Sequence, residues 1–64
     1  MIVTVPGLQA QDIGDERCAI SEILARFAIN PLEVIVSVNG RVVPEDAMVS
    51  GSDHIRIILI AHGG

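Results

Sequence analysis

The chain has 64 residues, half of them hydrophobic and 19% charged. It is long enough for one small domain near the lower limit of a self-supporting core, and too apolar for an intrinsically disordered segment. Eight acidic residues stand against four arginines, for a net charge of −4. That sign disfavours nucleic-acid binding. Arg17, Arg26, Arg41 and Arg56 are spread evenly, and Phe27 is the one aromatic residue, so there is no stacking platform for single strands. No apolar run approaches the ~18 residues that span a bilayer. The N-terminal residues lack a secretory pattern, so the expected compartment is the cytosol.

Residues 1–5 read as a strand, with Met1, Val3 and Val5 on one face and Ile2 and Thr4 on the other. After the Pro6-Gly7 turn, residues 8–13 are diluted by polar side chains and are expected to pair with the first strand as a short edge hairpin. Residues 15–28 hold the predicted helix, with Ile20, Ile23, Leu24 and Phe27 at i, i+3, i+4 and i+7. Its start is either Asp15 as N-cap or a point near Ala19 without a strong cap. Asn30-Pro31 is expected to end it.

Residues 34–38 read as a central strand with Val34, Val36 and Val38 toward the helix. Asn39-Gly40 signals a two-residue type I′ hairpin turn. The returning strand, residues 41–43, stops at Pro44. Residues 45–53 read as a crossing loop, and residues 55–60 as the last strand. There, Ile55, Ile57 and Leu59 share the core face, while Arg56, Ile58 and Ile60 face away. The expected fold class is α+β, with one helix packed on one sheet face. A parallel pairing of the first and last strands is compatible with their long connection, but periodicity alone leaves it open.

Catalytic chemistry finds few residues to work with. The absence of lysine excludes a Walker-type phosphate loop and Schiff-base chemistry. Cys18 reads either as a thiolate favoured by a helix start or, more simply, as a small apolar residue packed beneath the helix. His54 follows Asp53 at a turn with no third group placed to orient it. Cys18, His54 and His62 lack the paired spacing of zinc ligands, so neither a metal nor a bound cofactor is expected.

The segment Ile60-Ala61-His62-Gly63-Gly64 is different. Two glycines after an apolar strand contribute nothing to packing and carry the largest ordering cost. A bare backbone threads a narrow channel, and residues 61–64 fully extended reach about 13 Å. The Gly64 carboxylate would then lie inside a partner enzyme, with His62 and Gly63 in the channel. An ionised carboxylate is a poor electrophile and needs activation, for example as an acyl adenylate. Nothing in this chain binds ATP, so a partner must supply that step.

The chain resembles the small sulfur-carrier proteins of the ubiquitin-like β-grasp superfamily, most of all the thiamine-biosynthesis sulfur carrier. The resemblance rests on residues 20–24, Val36-Ser37-Val38-Asn39-Gly40, Val43-Pro44, and the stretch from Asp53-His54-Ile55 to Gly63-Gly64. Two positions depart from the family pattern: Ser52 stands where a Gly precedes the aspartate of the last turn, and Ala19 where a Thr opens the helix. The resemblance implies a β-grasp domain over residues 1–64, with a mixed sheet of four to five strands, one main helix and a flexible tail at 61–64. It implies a carrier rather than an enzyme. An adenylyltransferase of the ubiquitin-activating type would use ATP to join AMP to Gly64. A sulfur donor such as a cysteine desulfurase would convert the adenylate to a thiocarboxylate, and thiazole synthase would receive the sulfur. Ile58, Ile60 and Arg56 are the candidate docking residues. A ubiquitin-like protein modifier, or a sulfur carrier for molybdopterin or transfer-RNA thiolation, is the alternative. Molybdopterin-type relatives usually carry prolines before their last glycines, and residues 60–62 have none.

Overall fold

The computed structural model describes residues 1–60. Its β-branched runs build the sheet. β1 (Ile2–Thr4) and β2 (Gln11–Asp12) form the expected edge hairpin, with Ile2 opposite Asp12 and Val3 opposite Gln11. β4 (Val34–Val38) and β5 (Arg41–Val43) form the second hairpin. Asn39 and Gly40 have φ of 51° and 85°, the two positive values that a type I′ turn requires. β7 (His54–Leu59) lies between the hairpins, parallel to β1 and antiparallel to β4. The five-stranded order is β2-β1-β7-β4-β5. The parallel pairing that periodicity left open is therefore present, and the sheet is mixed.

Helix α1 (Ile20–Arg26) covers one face of this sheet. Ile20, Ile23 and Leu24 are buried against Val3, Val34, Val36, Ile55 and Ile57, with Phe27 half-buried beside them. This mixed sheet with a single helix on one face is the β-grasp arrangement expected from the sequence.

The helix is shorter at both ends than the predicted span, and each shortening has a physical cause. At the start, residues 18 and 19 are extended. They form β3 (Cys18–Ala19), antiparallel to β6 (Met48–Val49). Of the two predicted starts the chain takes the one at Ala19, whose methyl group cannot accept a capping hydrogen bond. Backbone carbonyls do the capping instead. Ile20 N–H donates to Ala47 O at 2.9 Å and Ser21 N–H to Glu45 O at 2.8 Å. The Glu22 carboxylate accepts from Ala19 N–H at 2.9 Å, which is one arm of a capping box.

The helix ends before Asn30-Pro31, correcting the predicted stop. Ala28 is left-handed at φ 56°. Ile29 N–H reaches Leu24 O at 2.9 Å and Ala28 N–H reaches Ala25 O at 3.1 Å, the two bonds of a Schellman motif. Pro31 instead opens a 3₁₀ turn, Pro31–Glu33, capped by the Asn30 side chain, which accepts from Leu32 N–H at 3.0 Å.

Two further expectations are corrected. The crossing loop at 45–53 contains β6, and Val49 within it belongs to the core. Leu59, expected inside, is 61% exposed. A seven-residue helix is about 10 Å long. A six-residue strand is about 20 Å long, so the helix shields Ile55 and Ile57 and leaves Leu59 beyond its reach.

Ala28 is exposed, so its methyl group contributes no packing to offset its left-handed backbone. Ala28→Gly relieves about 1–2 kcal/mol of local strain against about 0.4–1 kcal/mol of added unfolded-state entropy. The expected result is a net gain of about 0.5–1 kcal/mol, read as a higher denaturant midpoint and a Tm raised by several degrees. An unchanged or lowered midpoint would contradict the Schellman assignment.

Candidate functional site

The side of the sheet away from α1 carries an apolar strip. Alternation along β7 turns Ile55 and Ile57 inward, at 1% and 2% exposure, and Ile58 outward at 40%. Ile35 of β4 lies opposite Ile58 and is 41% exposed. Residues opposed across an antiparallel pair share a face, so these two isoleucines adjoin. Ile60 is 41% exposed just beyond the end of β7, and Val42 of β5, opposite Ser37, adds a 73% exposed neighbour. Arg56 lies between Thr4 of β1 and Ser37 of β4 on the same face. It is exposed and forms no ion pair among the described residues.

The strand bearing these residues is fixed at both ends. At its start, Asn39 N–H donates to His54 O at 2.9 Å, while Asn39 Oδ1 accepts from His54 N–H at 2.9 Å. Asn39 Nδ2 donates to Asp53 Oδ1 at 3.0 Å, and Asp53 Oδ2 accepts from Ser50 N–H at 3.0 Å. Asn39 thus serves the hairpin turn with its backbone and the start of β7 with its side chain. At the far end, Ile60 N–H donates to Glu33 O at 2.9 Å, extending the ladder one residue past β7. These anchors hold both ends of β7 in place.

The remaining sequence candidates separate. Ile58, Ile60 and Arg56 come together on one face. His62, Gly63 and Gly64 lie outside the described residues. Cys18 is half-buried against the core in β3, where burial first, and then Glu22, push its thiol up despite the opposing pull of Arg26. That environment disfavours the thiolate. His54 is exposed at the start of β7 opposite Ile2. No cluster of three or more His, Cys, Asp or Glu suited to a metal occurs among the described residues. No helix among them is long and apolar enough to cross a membrane. Sequence reasoning did not single out Ile35 and Val42. The signal was available, because the inward valines of β4 force Ile35 to the other side.

The mixed five-stranded sheet with one helix on its inner face is the arrangement of a small ubiquitin-like domain. The family model for Small archaeal modifier protein 2 matches residues 1–60. The chain belongs to that family of ubiquitin-like small modifiers and sulfur carriers. No curated protein matches the chain.

The Ser50 N–H, and then the Asn39 side chain, hold the Asp53 carboxyl below its ordinary value of 3.8. A depressed carboxyl adds stability above the unfolded value and loses it as pH falls through the lower folded value. Acidification below about pH 3.8 is therefore expected to cost the native chain stability that Asp53→Asn does not lose. Denaturant midpoints measured from neutral pH downward test this, and parallel profiles for the two proteins would refute it.

Proposed function

We propose that the chain works through the carboxyl group of Gly64, as a carrier charged by a partner enzyme. An adenylyltransferase of the ubiquitin-activating type joins Gly64 to AMP and releases pyrophosphate from ATP. The persulfide of a sulfur donor, fed by a cysteine desulfurase, then displaces AMP to form an acyl disulfide, and a thiol reductant cleaves that bond to leave the Gly64 thiocarboxylate and a disulfide. In the reading closest to the sequence resemblance, thiazole synthase receives that sulfur for thiamine. The carrier supplies an activatable acid and a docking face, and its partners supply the catalytic side chains.

The observation that carries this reading is the adjacency of two features. The outward strip Ile35, Ile58 and Ile60, with Arg56 beside it, runs along β7 to the residue from which the tail departs. A partner that grips this face is positioned to receive the tail. Arg56 suits an acidic patch on that partner, while the apolar strip supplies the buried centre that such interfaces use.

The family match favours a second reading on equal terms. As a modifier, the activated Gly64 carboxyl forms an amide with an amine of a target protein, and AMP leaves. Both readings share activation at Gly64 and differ in the acceptor. Sulfur carriage for molybdopterin or transfer-RNA thiolation differs only in the final recipient.

Incubation with the adenylyltransferase, ATP and a sulfur source is expected to add about 16 Da, as oxygen is replaced by sulfur. A ladder of conjugates on denaturing gels of cell extract supports modification instead. A chain truncated after His62 is expected to keep its denaturant midpoint and lose both products. Charging of that truncated chain would sink the proposal. Ile58→Asp, at an outward position, is expected to fold normally and to lower kcat/KM for adenylation about tenfold, the scale of one interface anchor. An unchanged value would remove Ile58 from the docking face.

A further inference from the structure

The hairpin turn that anchors β7 is also a chemically labile sequence. An asparagine side chain is open to attack by the backbone nitrogen of the residue after it, and glycine, with no side chain in the way, permits this best. The 64 residues hold two asparagines. Asn30 precedes Pro31, whose nitrogen has no hydrogen to give up, so the reaction is blocked there. Asn39 precedes Gly40. In the reaction the Gly40 nitrogen bonds to Asn39 Cγ and loses its proton to solvent, while the Cγ–Nδ2 bond breaks and ammonia leaves. Water then opens the resulting succinimide at either carbonyl, giving aspartate or isoaspartate. One water is consumed and nothing is oxidised or reduced.

The fold withholds Asn39 from this reaction. Ring closure needs the Gly40 nitrogen eclipsed with Asn39 Cβ, at ψ of about −120°, whereas a type I′ turn holds ψ of its first central residue at about +30°. Asn39 keeps to that turn, with φ 51°. Its side chain is tied down as well: Nδ2 donates to Asp53 Oδ1 at 3.0 Å, and Oδ1 accepts from His54 N–H at 2.9 Å. Attack therefore waits until the turn and both hydrogen bonds open together. Asn39, Gly40 and His54 are exposed, so that opening is a local event at the surface and leaves the core beneath α1 in place.

Conversion changes what the turn meets on closing. Position 39 loses the amine that donates to Asp53 and presents an oxygen there instead. Ser50 N–H and the Asn39 amide keep Asp53 ionised. After conversion two carboxylates face each other across a gap made for a hydrogen bond, which disfavours the closed form. The isoaspartate product adds a main-chain carbon to a two-residue turn and disturbs the pairing of β4 with β5. We propose that Asn39-Gly40 is a one-way modification site: the closed turn protects the amide, and a turn deamidated while open no longer re-engages Asp53 and His54. The change loosens the start of the strand that carries Arg56 and Ile58.

The test has two arms. In the first, the native chain, folded or unfolded in guanidinium, is aged at mildly alkaline pH, digested and mapped by mass, where deamidation adds about 1 Da. The unfolded chain is expected to convert at Asn39 at least about tenfold faster than the folded chain, with Asn30 unchanged in both. Equal rates at Asn39 in the two states would overturn the protection assigned to the turn. In the second arm, Asn39→Asp is expected to lower the denaturant midpoint at neutral pH, complete unfolding included. Adding Asp53→Asn puts the amide on the other side of the same contact and is expected to restore most of that loss. A single variant as stable as the native chain, or a double variant no more stable than the single one, would overturn the clash between carboxylates. Neither arm involves adenylation or sulfur, so failure of charging at Gly64 refutes the proposed function and leaves this result standing.

Discussion

Strand β7 must satisfy two environments at once, and the rest of the molecule is arranged around that demand. It pairs with β1 on one side and β4 on the other, so both its backbone edges are used. Ile55 and Ile57 fill the core beneath α1, while Arg56 and Ile58 emerge on the opposite face. A register slip of one residue would exchange these sets, placing a guanidinium in the core and exposing two isoleucines. The penalty for burying an unpaired charge fixes the register firmly. The same alternation that stabilises the fold therefore creates the outward strip.

Polar contacts at both ends of the strand reinforce the register that burial sets. Asn39 holds the start of β7 through both its backbone and its side chain, and Asp53 holds Asn39. Glu33 provides the carbonyl that ends the ladder at Ile60. The outward strip and its last residue, Ile60, thus lie along one strand held at both ends.

Much of this was legible because period-two alternation and turn chemistry are local signals. Asn39-Gly40 announced its hairpin through the need for two positive φ values. The valines of β4 and the isoleucines of β7 announced their faces. What escaped was set by contacts between distant residues. The loop at 45–53 reads as polar, yet Met48-Val49 pairs with Cys18-Ala19 and places Val49 in the core. Ala19 looks like a helix start without a cap because its capping carbonyls come from residues 45 and 47. Leu59 follows the inward period, but the extent of a short helix decides its exposure. The outward residues were readable from alternation, whereas the expectation for residues 61–64 rested on glycine composition and family resemblance.

The capping of α1 by a distant loop has a mechanical consequence. A helix with its own N-cap can tolerate rearrangement elsewhere. Here the first two helical amides lean on carbonyls of residues 45 and 47, which are tethered by the two-residue ladder between β3 and β6. Loop and first turn therefore open and close as a single cooperative unit. A length change between Pro44 and Ser50 would act as a helix mutation, fraying α1 from its beginning while leaving the hairpin around Asn39 and Gly40 intact.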